Sequence, residues 1–454
     1  MTAPSHLWSS RAAFYLGAIG AAVGLGSIWR FPYLAGTSGG FAFVAVFVVA
    51  CAAIATPLLV AEFLIGRWSR QSPPLAFGEI AALAGRGRGW NLVGWSGTVA
   101  AFAIFSYYTI IAGWVLAYAW KCAAGELSGL SHAAVAQRFA DFVADPLRIV
   151  AWQALFLAIV AGISARGVHR GLEVANRLRA PVFLVLLLGL VGYALATGDV
   201  ARGLRFAFAP DFAKITPPVV VAAVGQAFFA TGVGMAMMLA YGAYVPRGAS
   251  LLRSALLITG SIVLVSLLAT LLVFPLVFAY GMNPAQGPEL VFQVLPAAFA
   301  EMPAGRFVGA VFFILLAFAA LTPSIAALEP AVAWLGQRHA LPRRRAVALT
   351  TIAAFVLGLG SVLSFNLWAQ WRPLAGLGRF GTMSFFGLID FVSSNILLEV
   401  GAVATSVFVG WLLAARIPDE ELAELSPGAR RALLWSLRYL CPLAVLAVLV
   451  AAFL

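Results

Sequence analysis

The sequence predicts an all-α integral membrane protein of eleven transmembrane helices. Three observations carry that prediction. Of the 454 residues, 63% are hydrophobic and only 10% are Asp, Glu, Lys or Arg, against about 45–50% apolar and about 25% charged in a water-soluble domain. The apolar residues gather into runs long enough to cross a bilayer as helices. No run shows the short dyad alternation of an outer-membrane barrel strand. This composition excludes a soluble enzyme, a nucleic-acid binder and a disordered scaffold, because too few polar groups exist to face water.

A helix needs about 20 apolar residues to cross the hydrocarbon core. Such runs lie at 12–36, 41–66, 92–120, 147–165, 180–197 and 217–244, then at 254–281, 307–336, 346–366, 384–414 and 434–454. Several exceed the minimum and must tilt or kink. Eleven crossings put the termini on opposite sides. With the N-terminus cytoplasmic and the C-terminus extracytoplasmic, the inner side holds 18 basic residues, four Arg each in 67–88, 166–179 and 338–345 among them, and the outer loops hold nine. That asymmetry follows the positive-inside rule. The net charge of +12 therefore records topology rather than affinity for nucleic acid. Cys51, Cys122 and Cys441 show no metal-ligand spacing and read as small buried hydrophobes. The opening MTAPSHLWSSRAAF carries no pattern of a removable signal peptide.

Two runs are interrupted. The first contains Gly20-Ala21-Ala22-Val23-Gly24-Leu25-Gly26-Ser27, and the sixth contains Gly225 and then Ala230-Thr231-Gly232-Val233-Gly234. Paired glycines near mid-span invite unwinding, although small residues also serve close helix packing. Bare amides in lipid are costly, so an unwound segment must line a cavity or be buried in protein. The chain reads as two five-helix repeats, about 11–197 and 217–414, plus an extra helix at about 434–454. The two breaks then occupy corresponding positions, which is where secondary transporters bind their substrates. Half-helix amide ends attract a carboxylate, and freed carbonyls hold a cation or ammonium. Ionisable residues at membrane depth are functional candidates by default: Glu62 in the second run, Glu329 in the eighth, Glu399 in the tenth, and Arg30 and Asp390 near outer ends. The alternative for Glu62 and Glu329 is a buttress that receives backbone N–H groups.

The stretch Gly24-Leu25-Gly26-Ser27-Ile28-Trp29-Arg30-Phe31-Pro32-Tyr33, followed by Ser38-Gly39-Gly40, resembles the first-span signature of the neurotransmitter:sodium symporter family, in its bacterial leucine-transporter-like form. Ala61-Glu62-Phe63, Ser106-Tyr107-Tyr108, Gly225-Gln226-Ala227-Phe228-Phe229, Leu328-Glu329-Pro330 and Leu388-Ile389-Asp390 support it, nearly end to end. The resemblance implies the leucine-transporter fold of inverted repeats, alternating access, and a bacterial inner (plasma) membrane. It implies no enzyme activity. Carried over by position, the substrate amine meets carbonyls of Ala22, Phe229 and Ala230, and the carboxylate meets amides near Leu25 and Gly26 with the Tyr108 hydroxyl. Ile104, Tyr108, Phe229, Gly232, Met235, Pro323 and Ala327 form the side-chain pocket. Phe229 over Tyr108, with Arg30 and Asp390 beyond, resembles the family's outer gate. Monoamine-transporting relatives place an Asp where this chain has Gly24, so a neutral, hydrophobic amino acid zwitterion is the expected substrate.

The ion sites depart from the family's pattern. The first sodium site keeps the Ala22 carbonyl, but Ser27, Ala230 and Ile262 replace its polar side chains. The second keeps, by position, carbonyls of Gly20, Val23 and Ala319 and the hydroxyl of Thr322, while Pro323 replaces a Ser. A hard cation needs oxygens that Ala, Ile and Pro side chains lack. Phe47 replaces a Tyr in the chloride pocket, where Gln226 and Ser266 remain, and chloride is not expected. The inner gate pair becomes Ser5 and Gln337. Three readings follow: sodium-coupled symport through the second site; a sodium-independent or proton-coupled transporter with Glu62 or Glu329 as carrier; and a non-transporting ligand sensor. The expected partners are a small amino acid and membrane lipid, with no nucleic acid; oligomeric state is open.

Overall fold

The computed structural model describes residues 8–246, 248–282 and 290–453, and the regular structure among them is entirely helical. Among the described residues, nine helices are long and apolar enough to cross a membrane. Arg11–Ala22 and Gly26–Thr37 add a tenth span, bent by 56° at its break. The sixth predicted run is built differently: Pro217–Thr231 and Met237–Gly242 are separate short helices, neither long enough to cross alone. Between them Gly232 (φ 65°), Gly234 (φ 87°) and Ala236 (φ 54°) all sit in the left-handed region. Glycine enters that region freely, which is why the helix ends where it does.

The remaining spans are Phe41–Ser69, Arg88–Ala124, Pro146–Ser164, Gly171–Thr197, Leu251–Ala279, Gly305–His339, Arg343–Leu363, Phe385–Leu413 and Pro427–Ala451. The loops carry helices of their own at Pro73–Leu83, His132–Ala144, Val200–Phe208 and Leu295–Glu301. Side-chain caps start several of these elements. Ser131 Oγ accepts from the Ala134 amide at 3.3 Å, and Asp145 from those of Leu147 and Arg148 at 3.0 and 3.2 Å. Such caps satisfy amides that the first helical turn leaves bare.

The third and eighth spans pack along their length and form the buried centre, whereas the fifth and eleventh show most of their surface to lipid. One boundary differs in a way that matters. The fifth span starts at Gly171, not 180, because its two early arginines had read as loop charges. Arg177 is indeed exposed and reaches Glu173 at 3.6 Å, but Arg179 is buried, at 6% exposure.

Two ion pairs brace one face of the helix bundle. Glu329 is buried and accepts from Arg343 Nη1 and Nη2 at 2.9 and 2.8 Å and from the Tyr244 hydroxyl at 3.0 Å. Arg67 Nε meets Glu421 at 2.7 Å, and its Nη1 donates to the Ala249 carbonyl at 2.7 Å. In the same region Gly66 lets the second span lie directly on the Leu239 carbonyl, and a Cβ there would collide with that backbone.

Gly66→Ala should therefore cost about 1–3 kcal/mol of stability, read as a lower melting temperature in detergent. Glu329→Ala strands the Arg343 guanidinium and should cost about 3 kcal/mol. Arg343→Ala strands the carboxylate. The double variant should lose less than the two singles together, and full additivity would show that the pair does not couple.

Candidate functional site

The first break is made by Val23, whose backbone is extended at φ −76° and ψ 97°, with Gly24 and Leu25 following before the helix resumes. The Leu25 amide, lacking a helical partner, donates to the Tyr108 hydroxyl at 3.4 Å. The Gly26 carbonyl accepts from Gln226 Nε2 at 3.1 Å, which ties the two broken spans together. In the second break, Gly234 N–H donates to Glu62 Oε1 at 2.7 Å. Glu62 is thus the buttress of the sixth span's unwound turn.

Between the breaks lies a cavity of about 50 Å³. Of the residues predicted to form a substrate pocket, Ala22, Leu25, Gly26, Ile104, Tyr108, Phe229, Ala230, Met235, Pro323 and Ala327 all line it. Gly232 does not. It occupies the left-handed turn that ends Pro217–Thr231, and a Cβ there would collide with Met237 Cε. Met237 lines the cavity instead. Its position past the break hid it from a reading by simple helical register. Gly24 also lines the wall, with Tyr108 Oη and the Pro323 ring as its nearest neighbours. Among the described residues no acidic side chain borders the cavity.

Leu25, Gly26, Tyr108 and Phe229 also line a second, larger space of about 760 Å³, so the cavity sits at the foot of a vestibule. Arg30, Asp390, Tyr107 and Glu399 border that vestibule. Among the described residues no salt bridge within 4 Å joins Arg30 to Asp390, the two residues placed at the outer gate. The Arg30 guanidinium instead stacks on Phe229, 5.1 Å from the ring centroid. Asp390 accepts from the Tyr107 hydroxyl at 2.8 Å and from Ser394 at 3.2 Å. Each charge is instead engaged by another partner, Phe229 for Arg30 and Tyr107 with Ser394 for Asp390. At the opposite face, Gln337 accepts from the Ser72 amide at 2.7 Å, and Ser5 lies outside the described residues.

The predicted cation positions are distinguishable. At the first, the Ser27 hydroxyl is buried without a hydrogen-bond partner, and its neighbours by position, Ala230 and Ile262, are buried hydrocarbon. Gln226 Oε1 and Ser266 Oγ are also buried and unpartnered, while Phe47 packs on Phe31 at 4.8 Å between centroids. At the second, Gly20 of the first span faces Thr322 of the eighth, the latter's Cγ2 lying 3.2 Å from where a Gly20 Cβ would stand. Two residues of the fifth span complete this junction, and the sequence reading missed both. Thr322 Oγ1 donates to Asn176 Oδ1 at 3.2 Å, and Arg179 Nη1 donates to the Phe318 carbonyl, next to Ala319, at 2.7 Å. The signal was present in the run Asn176-Arg177-Leu178-Arg179-Ala180-Pro181, but charge counting assigned it to a loop.

The sequence and fold match known proteins closely. The chain fits the sequence profile described as the Sodium:neurotransmitter symporter family over residues 5–138 and 143–454. It is 36% identical over 447 residues to the uncharacterized sodium-dependent transporter YhdH of Bacillus subtilis, covering 97% of this chain and 96% of that one. An uncharacterized sodium-dependent transporter of Haemophilus influenzae is 33% identical over 426 residues, covering 92% and 91%. Among solved structures, MhsT in complex with L-phenylalanine superposes with a TM-score of 0.88 at 35% identity, over 99% of this chain and 100% of that chain. With its two interrupted spans meeting at one cavity and these matches along its length, the chain belongs to the sodium:neurotransmitter symporter family and has the leucine-transporter fold.

Proposed function

We propose that this protein is a secondary transporter that imports a neutral amino acid with an apolar side chain by alternating access. In this reading the two halves, 11–197 and 217–414, are inverted repeats in a bacterial plasma membrane, with the N-terminus cytoplasmic and the C-terminus extracytoplasmic. The carrying observation is the cavity between the two unwound segments at the foot of the vestibule. The Leu25 amide and Tyr108 hydroxyl, already 3.4 Å apart, suit a carboxylate. Carbonyls of Ala22, Phe229 and Ala230 suit an ammonium. Because no acid lines the cavity, the ligand must bring its own counter-charge, and a zwitterion does so. Ile104, Pro323 and Ala327 give the side chain an apolar wall, and the thioethers of Met235 and Met237 can shift to admit a large one. That a similar structure holds L-phenylalanine supports the same class here.

Two coupling schemes follow from specific observations. Sodium-coupled symport rests on the second-site oxygens of Gly20, Val23, Ala319 and Thr322 and on the names of the relatives. A cycle without sodium at that position rests on the buried Arg179 guanidinium, which donates to the Phe318 carbonyl and lies against Gly20. Glu329 is held by Arg343 and Tyr244, which argues for a structural role rather than a proton carrier.

Uptake of labelled L-phenylalanine and L-leucine into proteoliposomes should exceed that of empty vesicles, and running it under a sodium gradient, a proton gradient or neither identifies the driving ion. Tight binding with no flux under any gradient would instead mark a sensor. Tyr108→Phe should weaken binding about 10–100-fold, as expected for losing one hydrogen bond to a charged group, while the protein keeps its melting temperature. Unchanged affinity would place the carboxylate elsewhere.

A further inference from the structure

We propose that the guanidinium of Arg179 is the resident cation at the junction of the first, fifth and eighth spans, and that it excludes sodium from the second site. The inference deepens the transport reading above and rests on it for its consequence, but its geometry stands alone. Arg179 lies two residues before Pro181 in Gly171–Thr197, and its side chain runs inward to the first span's break rather than outward to lipid or to the membrane surface. Its Nη1 donates to the Phe318 carbonyl at 2.7 Å. Its Nη2 lies so close to Gly20 that any Cβ at that residue would collide with it. The guanidinium carbon is 5.9 Å from the centroid of Phe183, which covers it.

The charge arrangement is unusual for a buried arginine. Among the described residues no carboxylate lies within 4 Å of Arg179, and its Nε has no hydrogen-bond partner. Every other buried or half-buried basic group named above for the opposite face has an acid: Arg67 has Glu421 and Arg343 has Glu329. A buried cation without a counter-ion is unfavourable unless dipoles replace its hydration. The dipoles at hand are the Phe318 carbonyl and the oxygens of Asn176 and Thr322, the latter two 3.2 Å from each other. This is the kind of neutral oxygen environment that a monovalent metal ion needs.

Arg179 therefore answers the same electrostatic demand from within the chain. A second positive charge a few ångströms away, with little water between, would be strongly repelled. Pro323 fits this assignment, since a site already filled by a guanidinium has no need of a further hydroxyl ligand. An arginine also keeps its proton at any physiological pH. The group is then a fixed charge and not a proton carrier, and the cycle gains no ion gradient through this junction.

The test compares sodium responses by melting temperature of purified full-length protein in detergent, in sodium chloride and in choline chloride at equal concentration. This readout needs no amino acid, so its failure is separate from any failure of the substrate assignment. Arg179→Ala/Pro323→Ser removes the charge and restores an oxygen, and should acquire a sodium-specific rise of about 5 °C over wild type. Arg179→Lys keeps the charge and should respond as wild type does. A folded double variant with the same sodium response as wild type would overturn the proposal. Wild type alone gives a second readout that does not depend on any Arg179 variant folding. Exchange of sodium for choline should leave its melting temperature unchanged, and a sodium-specific shift that Thr322→Ala abolishes would also overturn the proposal.

Discussion

Backbone amides and carbonyls have no water to bond inside a bilayer, and the centre of this molecule is organised around the two places where its helices nevertheless come apart. Each unwound group costs several kcal/mol if left bare in hydrocarbon. The structure supplies partners from neighbouring spans. Glu62 takes the Gly234 amide, Tyr108 takes the Leu25 amide, and Gln226 reaches the Gly26 carbonyl. These bonds join the second, third and sixth spans to the breaks and so place the breaks opposite each other. The cavity is what remains between them. Backbone groups of the two breaks, with the Tyr108 hydroxyl, supply polarity to an otherwise apolar wall, which suits the zwitterion proposed above.

The same scarcity of polar groups gives each membrane-embedded charge a definite structural office. Glu329 and Arg343 form a closed pair on one face, Arg30 and Asp390 stand apart across the vestibule, and Arg179 fills a junction with no acid beside it. The three arrangements respond differently to motion. A closed pair resists separation, a parted pair can be drawn together when the vestibule narrows, and a lone guanidinium held by carbonyls links whichever spans supply them. Arg179 reaches the first and eighth spans from the fifth. That contact couples the broken first span to its surroundings in the way a bound ion would, with the cation covalently attached.

Most of the architecture was legible in the order of residues. Long apolar runs become helices because no other backbone arrangement survives in lipid, and glycine pairs within them predict where two of those helices fail. The first-span signature and its companions were specific enough to bring ten pocket residues to one cavity. Errors arose where one-dimensional reading meets a three-dimensional fact. Gly232 was assigned by register to the pocket wall, but the left-handed turn at φ 65° rotates it away and brings Met237 in. Arg30 and Asp390 both border the vestibule as gate residues, and which partner each engages, Phe229 or Tyr107 with Ser394, was beyond one-dimensional reading. Arg179 was counted as a loop charge because a hydropathy run stops at a charged residue whether or not the helix does.

Local composition and spacing suffice for the membrane class, the order of the apolar runs, the positions of both breaks, and the family to which the chain is similar. How the fifth span meets the first and eighth depends on packing alone. Arg179 donates there to the Phe318 carbonyl, Asn176 accepts from Thr322, and the guanidinium lies against Gly20, residues more than a hundred positions apart in the chain. No local pattern encodes that meeting. It arises from helix packing, which turns one arginine inward while its neighbour Arg177 faces outward.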